Sequence, residues 1–330
     1  MTQQIDPVMP AGLDEFLHQT GWSAARVYPM PGDASFRRYF RVSHADKGKA
    51  ILMDAPPPHE DPKPFIDVAQ YLTGQGFRAP IIYGHDLKRG FVLIEDFGDR
   101  RMREHLDECP SDEAKIYKQA IDTIIALSKS TRADLPPYDE AVYLREVRLL
   151  AEWYMPAMRL DFDPAEFDRI WSEALAPIAN AHMVTVLRDY HAENVMLLDD
   201  GDQGLIDFQD ALIGHPAYDL VSLLQDARRE VSAELEAEML DHYIQAAYPD
   251  ADFRYHYALV GAQRNTKIIG IFTRLWKRDG KERYLDFLPR MWTLLERDLD
   301  HPGLAPLKSW FDTYIPQEVR RIAPNMLAPE

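Results

Sequence analysis

Three oxygen-bearing side chains, Asp189, Asn194 and Asp207, stand at a spacing that suits phosphoryl transfer. A carboxylate and an amide oxygen are ligands that Mg²⁺ accepts, and substrate phosphates and waters complete its coordination. Phosphoryl-transfer enzymes use an Asp, an Asn five residues later and a second Asp beyond a hairpin to handle the attacking hydroxyl and the metal. The spacing therefore predicts a phosphoryl-transfer centre. The alternative is that these residues only end strands at turns.

A strand and a hairpin must position these three residues. The apolar run that ends just before Asp189 predicts a short buried strand. Residues 195–198 and 205–206 predict a hairpin, because a turn of three aspartates and a glycine separates them. A hairpin of this length places Asn194 beside Asp207, with Asp189 on the loop before them.

Composition restricts the class of protein. A chain of 330 residues with 46% hydrophobic content is long enough for two lobes with a sizeable core. The net charge of −17 argues against a nucleic-acid partner. Cys109 is the only cysteine, which excludes a disulfide framework and a thiolate metal site. No apolar run approaches the roughly 18 residues of a membrane span, and no signal peptide is recognisable, so we expect a soluble cytoplasmic protein without a membrane partner.

The first part of the chain predicts a strand-rich lobe with a helix packed on it. Helices are expected to start near Leu13 and after Asp61-Pro62, where a capping residue precedes a proline at the first helical position. Strands are expected at residues 39–42, 50–53, 81–83 and 91–94. The acidic segment 95–99 then predicts the crossing into a second lobe.

From Ser111 onward the pattern is almost wholly helical, apart from the hairpin described above. Apolar residues between Phe167 and Ile178 recur at helical spacing, and further helices are expected at 255–276 and 285–297. The segment from Pro316 is expected to be loosely packed. The fold class is therefore α+β, with a small β-rich N-lobe at residues 1–97 and a mainly helical C-lobe at residues 98–330.

These features together resemble the protein-kinase-like fold of the aminoglycoside and choline phosphotransferase family, over essentially the whole chain. The catalytic loop of that family typically reads His-Gly-Asp, and here it reads Leu187-Arg188-Asp189. The resemblance implies that Asp189 is catalytic and that Asn194 and Asp207 bind Mg²⁺ beside ATP. It also implies that Asp219, in the sequence Tyr-Asp-Leu, is structural and caps and supports the loop.

Four segments resemble one branch of this family more closely. They are residues 32–42 (GDASFRRYFRV), 52–57 (LMDAPP), 187–194 (LRDYHAEN) and 204–211 (GLIDFQDA). The branch consists of amino-sugar kinases of bacterial cell-wall recycling, which phosphorylate N-acetylmuramate and N-acetylglucosamine at the anomeric hydroxyl. The resemblance implies a sugar 1-phosphate product. The alternatives are another small hydroxyl substrate, such as glucosamine, an aminoglycoside or an amino alcohol, and a nucleotide-binding pseudokinase scaffold.

The resemblance also implies a nucleotide site in the N-lobe. Adenine is expected between the lobes, bonded to backbone groups of Glu95 and Phe97, although this crossing has a purely structural alternative. The small, polar segment after Pro31 is expected to lie over the phosphates with its N–H groups exposed, and an ordinary turn is the alternative. The full set of expected nucleotide-binding residues is Gly32, Asp33, Ser35, Phe36, Arg37, Ile51, Ile94, Glu95 and Phe97.

The sugar pocket is expected in the C-lobe, opposite Asp189. Six residues are candidates for it, namely His191, Glu193, Trp153, Tyr154, Arg264 and Lys267. His191 and Glu193 have loop support as their alternative role, and Trp153 and Tyr154 have core packing. The basic cluster of Arg264 and Lys267 suits the lactyl carboxylate of N-acetylmuramate, and a solvated basic face is its alternative.

One position departs from the family pattern. Kinases of this fold place a lysine on the third strand to hold the nucleotide phosphates, and the corresponding residue here is Met53. We expect one of the cations at Arg37, Arg38, Arg41 or Lys49 to supply the missing charge, with the arginines favoured because a guanidinium fits phosphate oxygens. The missing lysine also motivates the scaffold alternative.

Overall fold

The computed structural model describes residues 9–31, 36–178, 181–247 and 249–326. Three residues of the expected nucleotide site, Gly32, Asp33 and Ser35, lie outside the described residues. By its internal contacts the chain divides into a first unit and a second unit. The first unit comprises Met1–Glu108 and Glu193–Asp210, and the second comprises Cys109–Ala192 and Ala211–Glu330.

This division differs from the lobe boundaries expected from the sequence. The helix Met102–Glu108 (α3) and the hairpin that carries Asn194 and Asp207 group with the first unit, because the hairpin bonds to residues near that helix. Arg101 forms an isolated β-bridge with Met196. The assignment of nucleotide binding to residues 1–97, and of the remaining sites to residues 98–330, stays a prediction.

The first unit contains a five-stranded antiparallel sheet in the order β1-β2-β3-β5-β4. Its strands are β1 Arg26–Pro29, β2 Arg38–His44, β3 Gly48–Asp54, β4 Ile82–Asp86 and β5 Phe91–Glu95. Two helices, α1 Leu13–Gln19 and α2 Lys63–Gly74, belong to the same unit. Every strand expected in this region is present, with ends that shift by up to three residues, and β1 is additional.

Side-chain alternation along the strands gives this sheet two different faces. Phe40 and Val42 on β2, with Leu52 on β3, are buried in a core that also contains Phe16 of α1. The intervening residues, beginning with Tyr39, point to the opposite face. The sheet therefore buries one face in a core and leaves the other to line a cavity.

The hairpin that carries Asn194 and Asp207 has short strands, β7 Val195–Leu197 and β8 Gln203–Leu205. The side chain of Arg100 donates to the carbonyl oxygen of Leu197 at 3.0 Å, and the backbone N–H of Leu205 donates to the carbonyl oxygen of Arg78 at 2.8 Å. These bonds fix the hairpin to the rest of the first unit.

The second unit is mainly helical. Its helices are α4 Glu113–Lys129, α5 Glu140–Leu149, α6 Met155–Ala157, α7 Pro164–Leu175, α8 Ala217–Leu224, α9 Ala233–Ala247, α10 Phe253–Asp279, α11 Leu288–Leu299, α12 Ala305–Tyr314 and α13 Gln317–Arg320. A two-stranded antiparallel sheet pairs β6 Val184–Val186 with β9 Leu212–Gly214. Helix α10 is the longest, and most of its residues from Phe253 to Thr273 are buried.

Two expectations for the second unit need correction. The segment expected as one helix at 285–297 begins with a 3₁₀ turn, Glu282–Phe287, and continues as α11. The segment from Pro316 is not loosely packed throughout, because Arg320 is buried and donates to the carbonyl oxygen of Ile315 at 2.7 Å. Among the described residues, no helix combines the length and the apolar character that crossing a membrane requires.

Candidate phosphoryl-transfer site

Asn194 and Asp207 lie side by side, as the hairpin predicts. The side-chain amide of Asn194 donates to Oδ2 of Asp207 at 3.2 Å, and the side chain of Gln209 donates to Oδ1 at 2.9 Å. The backbone N–H of Ile206 donates to the carbonyl oxygen of Asn194 at 3.2 Å. The predicted adjacency is confirmed, and the pair presents a carboxylate together with an amide.

The backbone of Asp207 adopts an unusual conformation. Its φ is 60°, in the left-handed region that costs a residue with a Cβ on the order of 1 kcal/mol. The next residue, Phe208, is fully buried, and its ring stacks on Phe65 of α2 at a centroid distance of 5.0 Å. Burial of Phe208 therefore holds the strained turn and fixes the direction of the Asp207 carboxylate.

The donor set of this pair suits a hard divalent ion. Asp207 supplies carboxylate oxygens, and Asn194 directs its N–H₂ at that carboxylate. The amide oxygen of Asn194 is the atom of that side chain that could coordinate a metal. Oxygen ligands of this kind, with few protein groups and room for phosphates, are typical of Mg²⁺ sites. The residues present therefore fit the ion that the sequence implies.

A cavity of about 780 Å³ adjoins this pair, and its described lining comes wholly from the first unit. The sheet contributes Tyr39, Arg41, Ile51 and Ile94, and the hairpin contributes Met196 and Ile206 beside Asn194 and Asp207. The lining also includes many charged side chains, both cationic and acidic, beside these apolar ones. Apolar surface together with groups that can bind charged atoms is what a ligand with an apolar ring and phosphates requires. A cavity of this size and chemistry suits a nucleotide.

Most of the expected nucleotide-binding residues that are described line this cavity. They are Arg37, Ile51, Ile94, Glu95 and Phe97. Phe36 is not among the lining residues, and its exposed ring stacks on His59 at 4.9 Å, so its assignment to the nucleotide site stays a prediction. Tyr39, Met196 and Ile206 were missed, although the alternation along β2 would have placed Tyr39 on the same face as Arg41.

The side chains of the crossing at residues 95–97 have structural contacts, and the expected bonding of adenine to its backbone stays a prediction. The Glu95 carboxylate accepts from Arg78 at 3.1 Å and from the backbone N–H of Ile81 at 3.2 Å. The Phe97 ring lies under the Arg78 guanidinium at 5.2 Å and against Gly204, where an added Cβ would approach it to 2.7 Å. Both side chains support the segment structurally, while the segment itself lines the cavity.

Asp219 supports the loop that carries Asp189 in the second unit. Its carboxylate accepts the backbone N–H groups of Leu187 at 2.7 Å and Arg188 at 2.8 Å. Burial raises the pKa of Asp219 to about 7, even though these bonds favour the charged form. Support of the loop is therefore observed. Asp219 stands in the first turn of α8, at the helix start where the sequence leads us to expect it, and its carboxylate is directed to the loop.

Arg188 occupies the position where the resemblance leads us to expect glycine, and its φ is 70°. Its guanidinium donates to Glu146 at 2.5 Å and lies over the ring of Tyr138 at 5.4 Å. The ammonium of Lys267 donates to the same carboxylate at 2.9 Å and to the hydroxyl of Tyr218 at 3.2 Å. Glu146 thus joins α5, the loop and α10 into one buried network.

The charges of this network act on one another and on Asp189. Burial opposes ionisation of Glu146, but the charges of Lys267 and Arg188 outweigh it and hold the pKa of Glu146 below its usual value. Burial also opposes the charge of Lys267, whose pKa is nevertheless raised by neighbours that include Glu146 and Asp189. The carboxylate of Asp189 therefore lies within the electrostatic reach of Lys267.

Comparison with known proteins identifies the family. Residues 26–254 match the phosphotransferase enzyme family. The chain belongs to that family. Two curated relatives are N-acetylmuramate/N-acetylglucosamine kinases. The one from Caulobacter vibrioides is 37% identical, covering 93% of this chain and 96% of the relative, and the one from Pseudomonas aeruginosa is 37% identical, covering 92% and 94%.

Solved structures of this family share the fold at low sequence identity. Choline kinase LicA from Streptococcus pneumoniae gives a TM-score of 0.62 at 14% identity, covering 89% of this chain and 97% of that one. The ADP-bound aminoglycoside phosphotransferase APH(2'')-Ib gives 0.60 at 14% identity, covering 87% and 97%. The predicted protein-kinase-like α+β fold, with a small sheet-containing part and a mainly helical part, is confirmed.

In this chain the candidate sugar residues differ from one another in burial and in partners. Tyr154 is fully buried, with its ring 5.3 Å from that of Trp292. It therefore packs in the core, which was its alternative role, and its ring is not accessible for stacking on a sugar. Trp153 is half-buried. Glu193 forms an ion pair with Arg103, which supports its structural alternative.

The remaining sugar candidates lie in the second unit and are more buried than a solvated face would be. His191 is buried, burial lowers its pKa, and its Nε2 lies 3.4 Å from the Arg228 guanidinium. Arg264 is buried and donates to Ser222 Oγ at 2.8 Å, and that hydroxyl donates to the carbonyl oxygen of Arg188. Arg264 thus supports the loop, and Lys267 is the member of the pair whose pKa is raised by the charge of Asp189 among others.

Proposed function

We propose that this phosphotransferase uses ATP and Mg²⁺ to phosphorylate the anomeric hydroxyl of N-acetylmuramate and N-acetylglucosamine. The supporting observation is the Asn194–Asp207 pair at the edge of a nucleotide-sized cavity. The names of the curated relatives, which match over nine-tenths of the chain, support the amino sugar as the small-molecule substrate. The sugar 1-phosphate would serve peptidoglycan recycling in the cytoplasm.

The nucleotide is proposed to occupy the cavity of the first unit. Ile51 and Ile94 on the sheet, with Met196 on the hairpin, supply apolar walls for the adenine, and the backbone of residues 95–97 supplies hydrogen-bonding groups. Asn194 and Asp207 would hold Mg²⁺. When bound, the ion neutralises charge on the nucleotide phosphates.

Asp189 is proposed as the group that receives the proton of the sugar hydroxyl. The anomeric oxygen forms a bond to the γ-phosphorus, and the bond from that phosphorus to the oxygen bridging the β- and γ-phosphates breaks, so that ADP leaves. The hydroxyl proton passes to the Asp189 carboxylate. An anomeric hydroxyl is more acidic than an ordinary alcohol, so orientation by Asp189 supplies much of what this step needs.

Lys267 is proposed as the cation that favours an acidic sugar. It is partly accessible, with 14% of its side chain exposed, whereas Arg264 is buried against Ser222. A lactyl carboxylate close to Lys267 would gain a charge-assisted hydrogen bond that N-acetylglucosamine cannot form. N-acetylmuramate should therefore bind more tightly than N-acetylglucosamine.

A substrate panel tests the proposed function. The full chain is incubated with ATP, Mg²⁺ and each of N-acetylmuramate, N-acetylglucosamine, glucosamine, an aminoglycoside and choline, and products are followed by ³¹P NMR. We expect a phosphate signal coupled to the C1 proton with the first two sugars. Transfer only to a non-anomeric hydroxyl, or to choline, would overturn the anomeric assignment. Absence of transfer to every compound would favour the scaffold alternative that Met53 motivates.

A further inference from the structure

The third strand of the first unit carries no cation where a kinase of this fold places one. Met53 is 1% exposed, and its strand partner across the β2–β3 pair is Tyr39. The Tyr39 hydroxyl lies 3.7 Å from Met53 Sδ. A thioether and a phenol therefore fill the space beside β3, and the charge that nucleotide phosphates require must come from elsewhere.

Three cationic side chains among the described residues line the cavity, and they differ in their exposure and in their ion-pair partners. Arg41 forms ion pairs with Asp96 and Asp99, both at 2.8 Å, at the crossing segment. Arg101 is exposed and follows that segment along the chain. Arg37 directly precedes β2 and lines the same cavity as Tyr39.

Two groups position the Arg37 guanidinium. Its Nε donates to Oε2 of Glu60 at 3.0 Å, and this pair is largely shielded from solvent, with side-chain exposures of 19% and 15%. Burial opposes the charge of Arg37, but Glu60 and Tyr39 raise its pKa above the ordinary value. A guanidinium carries five N–H donors in a planar fork, so one side chain can pair with a carboxylate and also contact phosphate oxygens.

Tyr39 connects Arg37 with the proposed metal side of the cavity. Burial raises the pKa of Tyr39, the charge of Arg37 opposes this rise, and the carboxylate of Asp207 adds to it. The phenol is therefore within electrostatic reach of both the guanidinium and Asp207. Arg37, Tyr39 and Asp207 also line the same cavity. Because Arg41 is engaged by two carboxylates at the crossing segment, Arg37 is the cavity cation best placed for the nucleotide phosphates.

We infer that Arg37, positioned by Glu60 and Tyr39, binds the nucleotide phosphates in place of the lysine that β3 lacks. Other kinases hold that lysine by a glutamate on a helix, and here Glu60, just before α2, pairs with an arginine that directly precedes the neighbouring strand β2. A cation and a carboxylate partner are thus both present, but the cation lies at the start of β2 rather than on β3. This inference rests on the proposed use of ATP and is independent of the identity of the sugar.

Calorimetric titration of the full chain with ADP and with adenosine, in Mg²⁺ and without sugar, tests this assignment. Arg37→Gln should weaken ADP binding about 10- to 100-fold, the range of a lost charge-assisted pair, and should change adenosine binding less than twofold. Arg38→Gln is the matched control, because Arg38 does not line the cavity and glutamine keeps a donor for Asp54. It should change the affinity for either ligand less than threefold.

A second variant makes the assignment independent of any general loss of structure. Adding Met53→Lys to Arg37→Gln returns a cation to β3 and should recover at least threefold of the lost ADP affinity. Unchanged ADP binding in Arg37→Gln, equal loss of ADP and adenosine, or a selective loss in Arg38→Gln would each overturn the inference. If the parent shows Arg37-dependent ADP binding but phosphorylates no sugar, the proposed function fails while this inference stands.

Discussion

The Asn194–Asp207 pair and the Arg188–Glu146–Lys267 network use charge in opposite ways. Asp207 has two neutral amides as its partners and lies at the wall of a cavity. Glu146 is 6% exposed and has two cations and a tyrosine hydroxyl as its partners. A carboxylate that must meet an ionic ligand keeps its negative charge uncompensated, whereas one that supports a loop is neutralised within the protein.

Both regions also contain a residue other than glycine at positive φ, and each is held differently. Asp207 depends on one apolar contact, the stacking of Phe208 on Phe65. Arg188 depends on ionic and backbone bonds, from Glu146 and Asp219. The comparison predicts that changes in the first region affect ligands, and that changes in the second affect folding of the loop.

The largest expected effect separates chemistry from binding. Asp189→Asn removes the proton acceptor while keeping the size of the side chain, so kcat should fall about 10²- to 10⁴-fold. Calorimetric ADP affinity should stay within twofold, because the described cavity lining belongs to the first unit. Asp207→Asn is the contrasting variant and should weaken Mg²⁺-dependent ADP binding as well as kcat. Equal loss of ADP affinity in both variants would contradict the separation.

Breaking the buried network should have the next largest effect, this time on stability. Glu146→Leu leaves Arg188 and Lys267 as buried cations without their shared carboxylate. The free energy of unfolding should fall by about 3–5 kcal/mol, as measured by urea denaturation. Glu146→Gln keeps two hydrogen-bonding groups and should lose less. A variant as stable as the parent would show that the network does not hold the loop.

The sequence predicts the first of these two regions but not the second, because the contacting residues are close in sequence in one and far apart in the other. Asn194 and Asp207 are 13 residues apart on one hairpin, so alternation and turn length were enough to bring them together. Glu146 lies 42 residues from Arg188 and 121 residues from Lys267. No local pattern specifies contacts over that distance. Packing of α5 and α10 creates them.

Burial of α10 explains a second difference between expectation and structure. A basic cluster on a helix normally indicates a solvated face, but α10 is buried on most of its circumference. Arg264 is therefore an internal donor to Ser222, and Asn265 donates to Gln225 at 2.7 Å. In the first unit, alternation along the strands predicts which residues line the cavity, because one face of the sheet is core and the other faces the cavity. In a helix that is buried on most sides, the sequence pattern does not show which side chains face a site.

A pH effect of intermediate size follows from a buried imidazole in the second unit. Burial lowers the pKa of His215 to about 3, from its ordinary 6.5, and the charge of His256 adds to this. The unfolded chain then binds a proton that the folded chain does not, so stability is full above pH 6.5 and is lost as the pH falls toward 3. Between pH 7.5 and 5.0 the contribution of His215 to stability should fall by about 2 kcal/mol. The raised pKa of Asp219 acts in the opposite direction over the same range, so the effect of His215 has to be read as a difference between variants.

Urea denaturation of the parent and of His215→Gln at these two pH values measures this loss. Relative to the parent, His215→Gln should gain about 2 kcal/mol of stability between pH 7.5 and 5.0. His59→Gln, which removes an exposed imidazole in the first unit, should follow the parent at both pH values. The same slope in parent and His215→Gln would assign the acid sensitivity to another group. The difference between the two variants should thus place this pH-dependent stability in the second unit rather than in the first.

The smallest expected effect comes from an ion pair that is neither buried nor part of a site. Lys63 and Asp67 lie one helical turn apart on α2 at 2.5 Å, with 60% and 50% of their side chains exposed. Solvent screens such a pair, so a double-mutant cycle with Lys63→Ala and Asp67→Ala should give a coupling of about 0.3–0.5 kcal/mol. Urea denaturation in low salt and in 1 M salt measures it, and the coupling should shrink in the higher salt. A coupling comparable to that of Glu146 would mean that burial is not what distinguishes the network from the surface.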